Sequence, residues 1–427
     1  PDLAFVDHSS FALLSELKLS IKAGSRSSEI TLFDGEIVEL EPFFSQNSAR
    51  LIVRAFDRLH KLTRGQHART FQNVTDSDLV SKIAGECGLS ASATATTEVH
   101  KHCFQANQSN LDFLRRRLAR VGHLLSVDGK TLKSGPPAAN PAVSLSWGTD
   151  MIEFRPRMSV SSYTTDVSVR SWDMKTKKAI VGKATTSDGL VPAIGATSGQ
   201  KPSLTSELLI SDCTVNTQAE ATSLAKSYLQ HRNSEYVEAE GTALGNAKIK
   251  AGERVEIQNV GTRFSGTYLV TAATHRYTAE EGYSTDFSVT GLKAGIIQDL
   301  VGVPAEANTL ASGMMIGLVT NNKDPEKFGR VKVKFPWLSE EDESDWLRVV
   351  VPGGDNNRGL LFLPEVNDEV LVGFEQGDIN RPYVLGGLWN GQDATICVDN
   401  TTVKAGKVEQ RLIVSRTGHK IVIDDSS

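Results

Sequence analysis

The chain has 427 residues, 39% hydrophobic and 23% charged, with a formal net charge of −5. That length holds two or three domains, each able to bury its own core, and the acidic balance argues against a chain built to coat nucleic acid. No apolar run approaches the ~20 residues that span a bilayer, and the N-terminus lacks a charged-then-apolar leader pattern, so export by a signal-peptide route is not expected.

Residues 1–300 read as strands with three helices set among them. Leu17-Lys-Leu19-Ser-Ile21, Ile37-Val-Glu-Leu40 and Ala49 to Phe56 alternate with period two. Leu79, Ile83 and Cys87 recur every fourth residue, so they share a helix face, and Gly88 is a natural stop. Ser109-Asn-Leu-Asp112 is a capping box for a helix whose apolar stripe is Leu111, Leu114, Leu118 and Val121. Its other face carries Arg115, Arg116, Arg117 and Arg120, within a stretch (50–123) holding 12 Lys/Arg against 6 Asp/Glu. Such a face suits an acidic partner subunit better than nucleic acid. Thr217-Gln-Ala-Glu220 caps a third helix through Leu224, Ala225 and Tyr228 to about Arg232. Arg254 to Ile257 and Tyr268 onward return to strand alternation. Two strand-rich blocks around a helical insert predict two barrels rather than one sheet.

Three segments separate these units. Consecutive prolines make Ser134 to Pro141 a stiff exposed turn, and the Gly, Ser, Thr and Ala of 184–206 make a mobile loop. Residues 301–313 are the expected linker.

From Met314 to Asp393, short alternating strands are closed by Asn321-Asn322, Phe328-Gly329, Pro352-Gly353-Gly354, Asn367-Asp368 and Gln376-Gly377-Asp378. Ile316, Leu318, Val331, Val333 and Phe335 form an apolar face, while Lys332 and Lys334 face water. The spacing predicts a small closed barrel.

These residues carry a resemblance. The runs Val319-Thr-Asn-Asn-Lys-Asp-Pro, Gly329-Arg-Val-Lys-Val, Asp345-Trp-Leu-Arg-Val, Asn357-Arg-Gly, Leu363-Pro-Glu-Val, Asp368-Glu-Val-Leu-Val and Gly377-Asp-Ile-Asn-Arg-Pro resemble, in order, the OB-fold domain of the VgrG family. Those proteins are the central spikes of type VI secretion systems, contractile phage tails and extracellular contractile injection systems. Looser motifs of the family's baseplate hub follow the same order: Phe56-Asp-Arg-Leu-His60, Ser77-Asp-Leu-Val, Asn110-Leu-Asp-Phe-Leu, Ala247 to Gly252, Phe264 to Tyr268, and Tyr283-Ser-Thr-Asp-Phe. Glu409 to Asp425 resembles the neck that leads into the family's triple-stranded β-helix needle, which the resemblance places beyond Ser427, on this polypeptide or on another.

The resemblance implies a mainly β fold with helical insertions (α+β): two hub β-barrels, an OB-fold barrel and the start of a trimeric β-helix or neck. The expected division is 1–300 hub, 301–313 linker, 314–393 OB fold and 394–427 neck. It implies a homotrimer joining a hexameric inner tube and the baseplate to the puncturing tip. Its partners would be the inner tube protein, baseplate proteins, a PAAR-like tip protein and effector cargo, with a membrane met only as the puncture target. Such a chain is made in the bacterial cytoplasm and leaves as part of the particle when the machine fires. Arg358, Glu365, Asp368, Asp378 and Arg381 fall in the family's barrel turns and are assigned to turn geometry or interchain contacts. Arg115, Arg116 and Arg117 join them as structural or interchain residues.

Enzymatic and binding alternatives find less support. Walker, HExxH, GxSxG and strand-bound GxGxxG motifs are absent, and no cofactor is expected. Cys87, Cys103, Cys213 and Cys397 are too scattered for a disulfide framework and read as reduced thiols. His100, His102 and Cys103 cluster on a strand, but zinc wants a fourth ligand and a conventional second pair, so no metal is expected. Glu340 to Glu343 with Asp345 reads as a solvated loop, and Asp424-Asp425 as a turn. The runner-up is an OB-fold nucleic-acid-binding module using Lys323, Lys327, Arg330, Lys332 and Lys334 with Phe328 and Trp337. Acidic residues of comparable number in the same domain oppose it.

Overall fold

The computed structural model describes residues 6, 8–21, 29–46, 48–186, 204–291, 313–336, 338–339, 341–393, 396 and 402–426. The chain forms two compact units, Pro1–Asn308 and Thr309–Ser427. Strands dominate both, with three α-helices among the described residues, all in the first unit. The fold is mainly β with helical insertions, as the sequence predicts. Most of the expected linker lies outside the described residues, as do Cys397 and Trp337.

The first unit opens with a three-stranded antiparallel arm, β1 (Glu16–Ile21), β2 (Ile30–Phe44) and β3 (Ala49–Phe56). Strand β2 is far longer than β1, which pairs with Ile30 to Glu36, so among the described residues the outer half of β2 and β3 is a two-stranded ribbon. A 3-10 turn, Arg58–Thr63, leads into the body.

The body packs β4 (His67–Val74), α1 (Asp76–Glu86), β5 (Ser90–Ala93), β6 (His100–Gln108), α2 (Asn110–Ala119), β7 (Leu124–Asp128) and β8 (Thr131–Gly135) around one core. Helix α1 starts where Thr75 Oγ1 accepts from Asp78 N and Asp78 Oδ2 accepts from Thr75 N. It ends where Gly88, at φ +69°, lets Leu89 N reach Ala84 O and Gly88 N reach Gly85 O. Leu79 and Ile83 are fully enclosed, as are Leu114 and Leu118 of α2. The turn expected over Ser134 to Pro141 is shorter than that: Ser134 is buried within β8, and Pro141 opens the next strand.

The rest of the unit is β9 (Pro141–Ser146), β10 (Met151–Met158), β11 (Asp166–Asp173), β12 (Lys178–Thr185), β13 (Glu207–Ile210), α3 (Gln218–Ser234), β14 (Val237–Leu244), β15 (Arg254–Gln258), β16 (Gly266–Leu269), β17 (Ala272–Thr278) and β18 (Gly282–Val289). Sheets β10-β14-β18-β17 and β16-β15-β9 enclose a core of Leu145, Met151, Val255, Ile257, Tyr268 and Phe287. This block is not contiguous in sequence. Strands β9 and β10 close against strands about 80 to 110 residues later, and β12-β11-β13 with α3 is a module inserted between β10 and β14. Helix α3 lies directly on β12: a Cβ built on Gly182 would stand 2.1 Å from the Ala221 carbonyl carbon.

In the second unit, β19 (Met314–Asn321), β20 (Lys332–Lys334), β21 (Arg348–Val349), β24 (Glu369–Phe374) and β25 (Pro382–Gly387) form one sheet in the order β20-β19-β24-β25-β21; β22 (Gly354–Asp355) and β23 (Arg358–Gly359) make a small hairpin between β21 and β24. Val319, Val331, Val333, Phe335, Leu347, Val370, Val372 and Val384 are its buried core. Two hairpins follow, β26 (Val403–Lys404) with β27 (Lys407–Val408), and β28 (Gln410–Val414) with β29 (Lys420–Asp424).

Candidate functional site

The turns of the second unit are organised by carboxylates. Asp324, 3% exposed, takes Arg330 Nη2 at 2.7 Å and Nε at 2.9 Å, and the backbone N–H groups of Glu326 and Phe328 at 3.0 and 2.8 Å. Donation from Arg330 first, and from those amides, holds the Asp324 carboxyl well below the usual range despite its burial. Asp324 and Arg330 thus fix the loop between β19 and β20 and hold Phe328, 56% exposed, at its surface under the Arg330 guanidinium. The sequence reading passed over this pair. An Asp-Pro turn six residues before an Arg was the available signal.

The five barrel-turn residues fall in three turns. Asp368 Oδ2 accepts from Glu365 N at 2.8 Å, while Asp368 N donates to Glu365 O at 3.1 Å, closing one turn. Asp378 Oδ1 accepts from Asn380 N at 2.9 Å, and Arg381 N donates to Asp378 O at 2.9 Å. Arg358 is exposed and pairs with Asp355 at 3.1 Å across β22 and β23. Glu365 also takes Arg416 Nε at 3.0 Å, which ties the β28-β29 turn to the barrel.

That terminal hairpin exposes several apolar side chains. Ile413, Ile421, Val422 and Ile423 are 45%, 63%, 47% and 58% exposed. Ile421 and Ile423 point to one face of the ribbon, and Val422, opposite Leu412, points to the other. Both faces are therefore apolar, and neither joins a hydrophobic cluster of the described residues. Near its Glu365 anchor the barrel exposes Leu361 and Phe362.

The four arginines of α2 are separated by the fold. Arg117 turns inward, its Nε 2.8 Å from Asp76 Oδ1, beside His100. Burial pushes the Asp76 carboxyl up, but the His100 hydrogen bond and the Arg117 charge outweigh it and hold it low. Arg120 bridges to Glu220 and the Thr214 carbonyl at 3.0 and 2.8 Å, joining α2 to α3. Arg116 is exposed and Arg115 half-buried. The predicted basic face is thus partly an internal clamp, which pattern cannot distinguish from a surface.

Among the described residues no group of three or more His, Cys, Asp or Glu could hold a metal ion. Of the acidic run, Glu343 pairs with Lys332 and accepts from Thr320, Asp342 accepts from Ser339, and Asp345 accepts from Trp346 N. Asp424 accepts from Gln410 and Asp425 pairs with Arg411, so these two brace the hairpin rather than form a lone turn. Two cations of the supposed nucleic-acid face, Arg330 and Lys332, are engaged by Asp324 and Glu343. No helix of the described residues is long and apolar enough to cross a membrane.

Comparison with known proteins agrees with this architecture. The family described as Alg8 N-terminal domain matches residues 8–279, and the type VI secretion system/phage-baseplate injector OB domain matches residues 315–389. The type VI secretion system spike protein VgrG3 of Vibrio cholerae is 25% identical over 378 residues, covering 78% of this chain and 35% of its own length. Spike protein VgrG1b of Pseudomonas aeruginosa is 29% identical over 140 residues, covering 29% of this chain and 19% of its own. The chain thus spans about a third or less of the length of these curated relatives. A solved E. coli protein, c3393, described as a type VI secretion component with structural similarity to T4 bacteriophage tail proteins gp27 and gp5, superposes with a TM-score of 0.55 at 16% identity, covering 88% of each chain. The chain is VgrG-like in sequence and in fold.

Proposed function

From a chain that belongs to the Alg8 N-terminal domain family and carries an injector OB domain, we propose a trimeric spike-hub that joins a six-fold inner tube and baseplate to a three-fold puncturing tip. Residues 1–300 are the hub, 314–393 the barrel and 394–427 the neck, joined by 301–313. The mechanism is force transmission, with no turnover. Its partners are the inner tube, baseplate proteins, a tip protein and carried effectors, and it leaves the cell with the particle.

The observation that carries the trimer is the β28-β29 ribbon. Its apolar residues lie on both faces, and a two-stranded ribbon is marginal alone. A two-fold pair of ribbons covers one face of each. Three ribbons around an axis give every ribbon a neighbour on both sides, and the free edges of β28 and β29 a place among like strands. Arg358, Glu365, Asp368, Asp378 and Arg381 set the turns behind this contact, with Glu365 holding the ribbon through Arg416. Arg115 and Arg116 are assigned to a subunit contact, and Arg117 to the internal clamp.

Light scattering tests the assembly: the purified chain is expected at three times its 46.3 kDa mass, and Val422→Asp at the monomer mass. A wild-type monomer refutes the trimer. Electron microscopy of the protein pulled from its cells then tests the machine, with three-fold density on the axis of a tube or baseplate expected. Free particles with co-purifying nucleic acid would favour the binding-module alternative instead.

A further inference from the structure

The β1-β2-β3 arm is joined to the body in an unusual way. Among the described residues, none of the arm belongs to any of the unit's hydrophobic clusters; Ile37, fully buried, stands outside them. At the joint sits Arg58, 2% exposed, two residues after β3 ends. Its guanidinium meets Asp34 of β2 at 2.6 Å, Glu16 of β1 at 3.3 Å and Glu36 of β2 at 3.8 Å, and donates to the Gly129 carbonyl in the β7-β8 turn at 3.0 Å. Around it, Lys61 and His60 engage Glu36 at 2.7 and 3.0 Å, Lys130 engages Glu16 at 2.6 Å, and Arg64 contacts His60 at 3.2 Å. Three carboxylates from the arm face cations supplied by the body.

We infer that this cluster is a charge-operated latch, and that the arm is a separable element released from the body when the cluster loses its carboxylate charge. A joint made of apolar surface resists acid and salt. One made of a buried guanidinium does not, because each carboxylate that takes a proton leaves Arg58 with less compensation in a place water does not reach. For Glu36, burial pushes the carboxyl up, but hydrogen bonds from Lys61 and His60 and their charges hold it below the usual range. The sign is that of a depressed acid, with the latch intact above the unfolded carboxylate pKa and opening as pH falls through the folded value. The core containing α1 and α2 keeps its apolar packing throughout, so arm and body part as two cooperative units. The arm's outer ribbon carries an apolar row, Leu40, Pro42, Phe44, Leu51 and Val53, with no core of its own, and a polar joint lets that ribbon reposition as one piece.

Hydrogen exchange on the full chain, corrected for intrinsic rates at each pH, tests the latch. In Arg58→Met, amide protection over Ile30–Phe44 and Ala49–Phe56 is expected to fall by roughly 100-fold while that of α1 and α2 is kept. Glu36→Gln is expected to give a smaller loss in the same segments, and wild-type protein to reproduce it on acidification. Should Arg58→Met fail to fold, Glu36→Gln decides by the same reading. Loss of protection in arm and body together, or an arm as protected as wild type in the variants and in acid, overturns the inference.

Discussion

Replacing Asp324 by Ala tests whether the barrel loop is held by a buried ion pair. The substitution removes five acceptor contacts, two from the Arg330 guanidinium and three from the backbone amides of Glu326, Phe328 and Arg330, and leaves an Arg330 side chain 9% exposed with Glu326 at 3.2 Å as its remaining acidic partner within bridging distance among the described residues. Breaking one side of a buried pair costs about 3–5 kcal/mol; the exposed neighbours Phe328 and Lys327 let water in, so the lower end, about 3 kcal/mol, is expected. For a unit of this size that is a fall in Tm of roughly 10 °C or more. Asp324→Asn keeps an acceptor and loses the charge, and about half the effect is expected. Urea titration followed by tryptophan fluorescence, with Trp346 beside Lys332 in the same barrel, reads the change. The wild-type advantage should persist above pH ~4 and shrink only below it, since the folded Asp324 carboxyl is depressed. A loss under about 1 kcal/mol, the range of an exposed bridge, would refute the clamp.

Three further outcomes are expected. Gly182→Val drives a side chain into the Ala221-Thr222 backbone of α3 and should cost about 3 kcal/mol, or abolish folding of that module, read by circular dichroism. His275 is held neutral by burial, with Nε2 on the Ile249 carbonyl at 3.0 Å and Nδ1 by Thr285 and Tyr283. Its folded pKa is depressed, so stability present above the unfolded value of about 6.5 is lost as pH falls, and His275→Gln should flatten the Tm profile between pH 7 and 5. Thr217→Ala removes the hydroxyl that accepts from Glu220 N at 3.1 Å and should cost about 1 kcal/mol in thermal melts.

Local chemistry was legible wherever neighbours in sequence are neighbours in space. Ser109 and Thr217 cap their helices as their spacing predicts, because a cap closes within four residues, while the Thr75 cap of α1 was equally local but not read. Helix α3 runs two residues past the predicted Arg232, to Ser234, where no glycine marks the stop. Asp368 and Asp378 sit in turns for the same local reason. The α2 arginines were not separable by pattern: Arg117 and Arg116 are adjacent, yet one reaches Asp76, 41 residues earlier, and the other faces water. A helical wheel places a side chain on a face, and only packing says what that face meets.

The sequence by itself determined the secondary structure type, the capped starts of α2 and α3, the barrel turns and the order of motifs that makes this chain VgrG-like, because each is written in contacts of short range or in ordered runs. Tertiary structure alone decided which charges are interior. Arg58 with Glu36, Asp76 with Arg117, and Asp324 with Arg330 differ from surface pairs only in burial. Burial also makes them consequential, since an ion pair in water is worth little and the same pair enclosed cannot lose one member cheaply. Among the described residues, tertiary structure likewise leaves apolar side chains of the β28-β29 hairpin exposed on both faces, a property of what does not pack against it, which no local pattern can carry.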